Sequence, residues 1–311
     1  MLVVAVLAPV FLVIALGAVL QRTGFVSAGF LREANRVTYW LGLPALLFSQ
    51  LVTSFHEVTP SARVLLWVMF AATGLVIALA YLVAWLCRVP GAALGTFVQG
   101  AFRGNLAFVG LPIIFAFPET AVAGGLSLRS AAVLVVAPAM VLYNTAGVVV
   151  LLLSQHRFGP KMAWPFVKQL ATTPPLVATL AGIGWALAGW TLPVPVAKTF
   201  ESLGEMALPL GLLGVGGSLM TVKLGANWRP PLGSALVKTA VSPLCGWVVA
   251  HWWGLRAEET RMILILMACP TAVVSYTVAL EMQGDESIAS GTIVLSVILS
   301  LVTLATVVGF F

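Results

Sequence analysis

The chain of 311 residues is 60% hydrophobic, only 8% charged, and has a mean hydropathy of +1.07. Soluble domains carry roughly 25% charged residues, so this chain lacks the polar surface to cover itself in water and reads as a polytopic membrane protein. Its net charge of +6, from 16 Lys+Arg against 10 Asp+Glu, punctuates apolar runs without clustering, which argues against a nucleic-acid binder and for topology-setting charges.

A hydrocarbon core of ~30 Å needs ~20 helical residues. The first apolar segment, near 2–21, has no basic start and no small-residue cleavage site, and is expected to remain as a span. Four more follow near 34–54, 62–86, 93–117 and 129–154. The basic, proline-bearing stretch "HRFGPKMAWPFVK" then interrupts the series. Five further segments lie near 170–190, 200–222, 232–254, 260–282 and 287–310, which makes ten transmembrane helices in an all-α chain. The interruption divides the chain into a first five-helix repeat over 1–158, a cytoplasmic connection over 159–168 and a second five-helix repeat over 169–311. The odd-numbered connections hold nine Lys and Arg, among them Arg22, Arg88 and Lys161, against five in the even-numbered ones. By the positive-inside rule the odd loops are expected to be cytoplasmic and both termini extracytoplasmic. Cys87, Cys245 and Cys269 sit in different apolar segments with no paired spacing, and read as small hydrophobes, not as a metal or disulfide framework.

The two halves share features. Aligning Pro44 of "LGLPALLFSQL" with Pro209 of "MALPLGLLGVGGSL" gives an offset of 165, which brings "RGNLAFVGLP" of span four within a residue of "ACPTAVVSYT" of span nine. An odd number of spans per half makes the halves inverted repeats, the arrangement in which broken helices meet at the midplane. Spans four and nine are the candidates. Span four carries Gly100, Gly104, Gly110 and Pro112; span nine carries Pro270, Thr271, Ser275 and Tyr276. Unwound backbone must face protein or a wet cavity, and half-helix N-termini there are able to hold an anion. The alternative is two intact helices, kinked at Pro112 and Pro270 and packed through small residues.

The stretch "LAPVFLVIALGAVLQRTGFVSAGFLREANRVTYWLGLPALLFSQL" resembles the opening of the auxin efflux carrier family. "FRGNLAFVGLPII" is similar to that family's fourth span, "ACPTAVVSYTVALEMQGD" to its ninth, and "LPLGLLGVGGSLM" to its seventh. The resemblance covers nearly the whole chain and implies ten spans as two inverted five-helix repeats, a fold related to bile acid:sodium symporters. It further implies that spans four and nine cross at unwound centres, and that a transport domain moves elevator-fashion against a scaffold of spans one, two, six and seven. A homodimer through the scaffold helices is also implied. The chain departs from the plant PIN-type carriers in its short central connection and in having Gly104 where they have proline before Asn105. These departures suggest a bacterial-type member, in a cytoplasmic (inner) membrane, and point away from auxin as the substrate; the resemblance to bacterial members implies a small carboxylate, malonate- or malate-like.

Arg103 stands about ten residues from either end of span four, ~15 Å from each surface at 1.5 Å per residue. Snorkelling from that depth is a stretch even for arginine. The carboxylates lie in loops or near span ends, with Glu201, Glu205 and Glu281 nearest to reaching inward. A transported carboxylate would supply the missing charge and accept a bidentate fork. Pairing with Glu205 or Glu281, or with carbonyls freed by the break, is the structural alternative. Asn105 and Gly104 complete the candidate binding set on span four, with Thr271, Ser275 and Tyr276 opposite, Asn144 from span five and Gln50 from span two. Lys238, six residues into span eight, is expected to snorkel. Coupling to sodium, to protons through Glu281 or Glu205, or to neither remains open, and no cofactor or metal-ligand spacing is evident.

Other classes fit less well. The single aspartate, Asp285, and three scattered histidines form no protease dyad, and no zinc, P-loop or dinucleotide motif is present, so an enzyme is not expected. Broken polar helices also build anion channels, and a membrane sensor of the same fold would bind the ligand without moving it.

Overall fold

The computed structural model describes residues 2–54, 60–118, 127–154, 174–221 and 227–310. The expected connection over 159–168 lies outside the described residues. Every long apolar segment is helical, and among the described residues there is no β-strand. Helix α1 is Leu2–Arg22. Helix α2, Ala28–Val37, continues through a π-helical turn, Thr38–Gly42, into α3, Leu43–Ser54. Helix α4 is Pro60–Leu86. The fourth segment is broken into α5, Gly91–Phe102, then a π-helical turn at Leu106–Gly110 and α6, Leu111–Phe115. Helix α7 is Leu128–Ser154, α8 Pro174–Leu187 and α9 Val194–Thr221. Helix α10, Arg229–Leu236, passes through a π-helical turn at Val237–Val241 into α11, Ser242–Trp252. The ninth segment is broken into α12, Ala257–Ala268, and α13, Val274–Glu281; α14, Glu286–Phe310, closes the order.

Five stretches among the described residues are long and apolar enough to cross a bilayer as single helices: Val4–Arg22, Arg63–Leu86, Leu128–Ser154, Arg229–Trp252 and Glu286–Phe310. Four exposed tryptophans stand at helix ends, Trp85 closing α4, Trp228 before α10 and Trp252 and Trp253 closing α11, where amphipathic rings favour the bilayer interface. The chain is a multi-pass membrane protein.

The three π-helical turns have a common cause. Each ends two residues before a proline, namely Pro44, Pro112 and Pro243. A proline ring clashes with the carbonyl four residues earlier and leaves it without a donor. Widening that turn to five-residue spacing relieves the clash, as the N–H of Leu43 on Thr38, of Leu111 on Leu106 and of Ser242 on Val237 show.

Two bundles result. Helices α1, α2–α3, α8 and α9 pack on one another, and α4–α7 pack with α10–α14. Small residues bring α1 and α9 into backbone contact: a Cβ added to Gly216 would stand 1.8 Å from the Ile14 carbonyl oxygen, and one on Gly17 would stand 2.2 Å from that of Leu213. Without a hydrophobic force between helices in lipid, such close packing is what holds a bundle together. The second bundle adds polar ties at its centre, including the Ser234 hydroxyl of α10 donating to the Phe97 carbonyl of α5 at 2.8 Å.

Candidate functional site

The two breaks meet. Helix α5 stops at Phe102 because Arg103 (φ −76°, ψ 87°) and Asn105 (φ −81°, ψ 67°) leave helical geometry. Helix α12 stops at Ala268, with Cys269 extended (φ −53°, ψ 144°) ahead of Pro270, which disfavours helix in the residue before it. Gly104 then pairs antiparallel with Thr271. The Asn105 N–H donates to the Pro270 carbonyl at 2.8 Å, and the Ala272 N–H donates to the Arg103 carbonyl at 2.9 Å. Unwound backbone that lipid could not satisfy is thereby satisfied by the other unwound segment.

The half-helix ends have separate caps. Thr271 Oγ1 donates to the Gly100 carbonyl at the end of α5, at 2.8 Å, while its N–H donates to Ser296 Oγ at 2.9 Å. At the other end of the break Asn105 Oδ1 accepts from the Phe108 N–H at 3.3 Å, capping the helix that resumes at Leu106. The amide nitrogen of Asn105 makes no hydrogen bond among the described residues.

A cavity of about 920 Å³ adjoins the crossing, between the two bundles. From the crossing it is lined by Arg103, Gly104, Asn105 and the residues that start both resumed half-helices, Leu106 to Phe108 and Ala272 to Val274. Asn144 and Tyr143 of α7, and Tyr276, Glu286 and Ser290 from α13 and α14, complete that side. Opposite stand Gln21, Asn35, Tyr39, Gly211 and Gly214. Two helix N-termini and one guanidinium, all three favouring negative charge, thus share one chamber with the Glu286 carboxylate.

Arg103 is 4% exposed. One terminal nitrogen, Nη2, donates to Asn144 Oδ1, and Nη1 is buried without a partner. Among the described residues no carboxylate forms an ion pair with it. The alternative of pairing with Glu205 is not realised: Glu205 lies exposed on α9, ahead of the cavity-lining Gly211. Glu281 ends α13 and Gln50 sits two turns beyond Leu43 on α3, and the side chains of both lie outside the described residues.

Of the other expected residues, Tyr276 reaches the cavity and donates its hydroxyl to Glu286 Oε1 at 2.7 Å. Thr271 and Ser275 are buried behind the crossing and do not line the cavity. Ser275 offers its carbonyl to Gln99 Nε2 at 3.5 Å. Pro270 contributes its carbonyl, and Pro112 sets the widened turn after Asn105. Lys238 does not snorkel: it is 0% exposed, with its amine on the Met267 carbonyl. Glu286, which sequence position assigns to a loop, opens α14 on the cavity; Asn35 and Tyr39 carried no signal beyond lying in span two.

Comparison with known proteins agrees with the membrane reading. The family model described as "Membrane transport protein" matches residues 2–157 and 160–308. An uncharacterized transporter of Methanocaldococcus jannaschii is 21% identical over 283 residues, covering 87% of this chain and 86% of its own length. An uncharacterized transporter of Methanothermobacter thermautotrophicus is 26% identical over 300 residues, covering 95% of this chain and 94% of its own.

Proposed function

This chain belongs to the membrane transport protein family, that of the auxin efflux carriers, and on that premise we propose that it is a secondary carrier of a small organic anion. The observation that carries the proposal is the one chamber in which Arg103 and two half-helix N-termini converge, with no described carboxylate in an ion pair with Arg103. A small carboxylate of the malonate or malate kind supplies that charge. Arg103 gives it a charge-assisted bond, the amide of Asn105 a second donor, and the N–H groups at the start of the two half-helices a dipolar seat. Asn144 holds the guanidinium in place.

The order of elements supports ten spans in two inverted five-helix repeats. A broken helix is fourth in each half, and the antiparallel pairing of Gly104 with Thr271 falls close to the 165-residue offset of the repeats. Alternating access then follows by movement of the bundle holding the crossing against the bundle of α1, α2–α3, α8 and α9, elevator-fashion, with the latter as scaffold and dimer surface. Moving Arg103 through low dielectric without a counter-ion is costly, so a bound anion lowers the barrier for the loaded bundle selectively. The carrier sits in the cytoplasmic membrane with both termini extracytoplasmic.

Binding of a panel of mono- and dicarboxylates to purified protein, read by thermal unfolding, tests the reading, since a ligand of the folded state raises its stability. Arg103→Gln is expected to weaken the best ligand about ten- to a hundredfold, from the ~1.5–3 kcal/mol of a charged hydrogen bond. A stable Arg103→Gln protein that binds the same carboxylates undiminished sinks the assignment. Saturable uptake into proteoliposomes, without single-channel conductance, separates a carrier from a channel.

A further inference from the structure

A second deep cation lies behind the crossing. Lys238 is the second residue of the π-helical turn Val237–Val241 ahead of Pro243, and it is buried there. Its amine donates to the Met267 carbonyl and, at 3.4 Å, to Ser242 Oγ. The Ser242 hydroxyl donates to that same carbonyl at 2.9 Å, so its proton points away from Lys238. Both hydrogen bonds on Nζ are outgoing, as those of an ammonium group are. Among the described residues no carboxylate forms an ion pair with it.

Met267 belongs to the last turn of α12, whose final carbonyls lose their intrahelical partners where the chain unwinds at Cys269. That end carries the negative pole of the helix dipole. On its other side Lys238 reaches the crossing itself: a Cβ added to Gly104 would stand 3.1 Å from its Cε and 3.3 Å from its Nζ. The ammonium thus fills the corner between the carbonyl end of α12 and the unwound backbone of the fourth segment, and it does not line the cavity. In carriers built on broken helices, carbonyls at half-helix C-terminal ends coordinate the coupling cation.

We infer that Lys238 is a resident cation of the crossing. It occupies the carbonyl end of α12 that a free metal cation would otherwise take, and it positions Gly104 against Thr271 without sodium or potassium. The small residue at 104 is what makes room for it. Lys238 is a positioning residue, since it touches neither the cavity nor the anion in it. The inference rests on the geometry of the crossing and on no particular anion.

The test compares the purified protein with Lys238→Ala by thermal unfolding in choline chloride, sodium chloride and methylammonium chloride at equal ionic strength. The parent protein is expected to melt at the same temperature in all three. Lys238→Ala is expected to melt lower in choline and to recover by about 3 °C or more in sodium or methylammonium, as a free cation enters the vacated corner and stabilises the fold by mass action. A parent that sodium stabilises over choline overturns the assignment, because a free cation then binds despite Lys238. So does a Lys238→Ala protein indifferent to all three salts, because the amine then only fills space. If Lys238→Ala shows no cooperative transition in choline, a transition restored by methylammonium or sodium supports the assignment and its absence in both overturns it. No anion enters this readout, so its failure is distinct from a failure of carboxylate binding.

Discussion

Arg103 and Asn144, 41 residues apart in the chain, meet through one hydrogen bond from guanidinium to amide oxygen, and that neutral partner leaves the positive charge of Arg103 uncancelled at the cavity wall. An amide orients the fork without competing for it; a carboxylate at the same place would do both. Asn144→Asp is therefore expected to give a protein at least as stable as the parent that binds small carboxylates at least tenfold more weakly. The internal anion satisfies Arg103 at close range, in a setting where breaking a buried pair costs ~3–5 kcal/mol. Thermal unfolding with and without the carboxylate panel reads both quantities. Retained affinity in Asn144→Asp would mean that Arg103 is not where the anion sits.

Thr271 illustrates the opposite case, a polar residue of the ninth segment whose work is structural. Its hydroxyl occupies the Gly100 carbonyl, and the residue is 1% exposed. Thr271→Val keeps the shape and removes the donor, leaving a buried carbonyl unsatisfied at a cost of about 1–3 kcal/mol. The expected outcome is a lower unfolding temperature with carboxylate affinity within twofold of the parent. Lost affinity at unchanged stability would move Thr271 into the binding site.

The glycines, Pro112 and Pro270, set among apolar residues, marked both breaks in the sequence, because glycine and proline loosen a helix where polar groups need open backbone. What paired across the breaks was less legible. Asn144 as the partner of Arg103 depends on how α5 and α7 pack, which no local pattern encodes. Lys238 sits few enough residues from the start of its segment to suggest a side chain reaching the surface, but in the widened turn ahead of Pro243 it is buried. Glu286 follows an apparent loop. In the fold that loop is a tight reversal, with Gln283 at φ +58°, the Gly284 N–H donating to the Ala279 carbonyl at 2.7 Å, and Asp285 Oδ1 capping Ile288. The reversal brings Glu286 to the first turn of α14, beside Tyr276 on the cavity.

A carboxylate in an anion chamber has a measurable effect. The hydroxyl of Tyr276 holds Glu286 on the cavity, where on the proposed reading its carboxylate would repel a bound anion. Glu286→Gln is expected to tighten carboxylate binding at low salt, with the gain shrinking as ionic strength rises toward 0.15 M, where the Debye length falls to ~8 Å. Titrations at two salt concentrations check this. An unchanged affinity at low salt would place the bound anion beyond the reach of Glu286.

The proposed movement of one bundle against the other would carry past a close approach where Gly211 of α9 meets the ring of Phe108, at the start of the resumed fourth helix. A Cβ at 211 would stand 2.4 Å from Phe108 Cδ1, closer than real contacts allow, so the ring must shift or the bundles must separate. Both residues line the cavity, yet neither offers a polar side-chain atom to an anion. Gly211→Ala is expected to slow uptake in proteoliposomes several-fold while leaving carboxylate affinity within twofold. Adding Phe108→Leu, which replaces the flat ring with a smaller side chain, is expected to restore part of the rate. That compensation separates a sliding interface from general damage, because the second substitution alone would otherwise only add to the loss. Equal loss of affinity and rate in Gly211→Ala, with no recovery in the double variant, would count against movement at this contact.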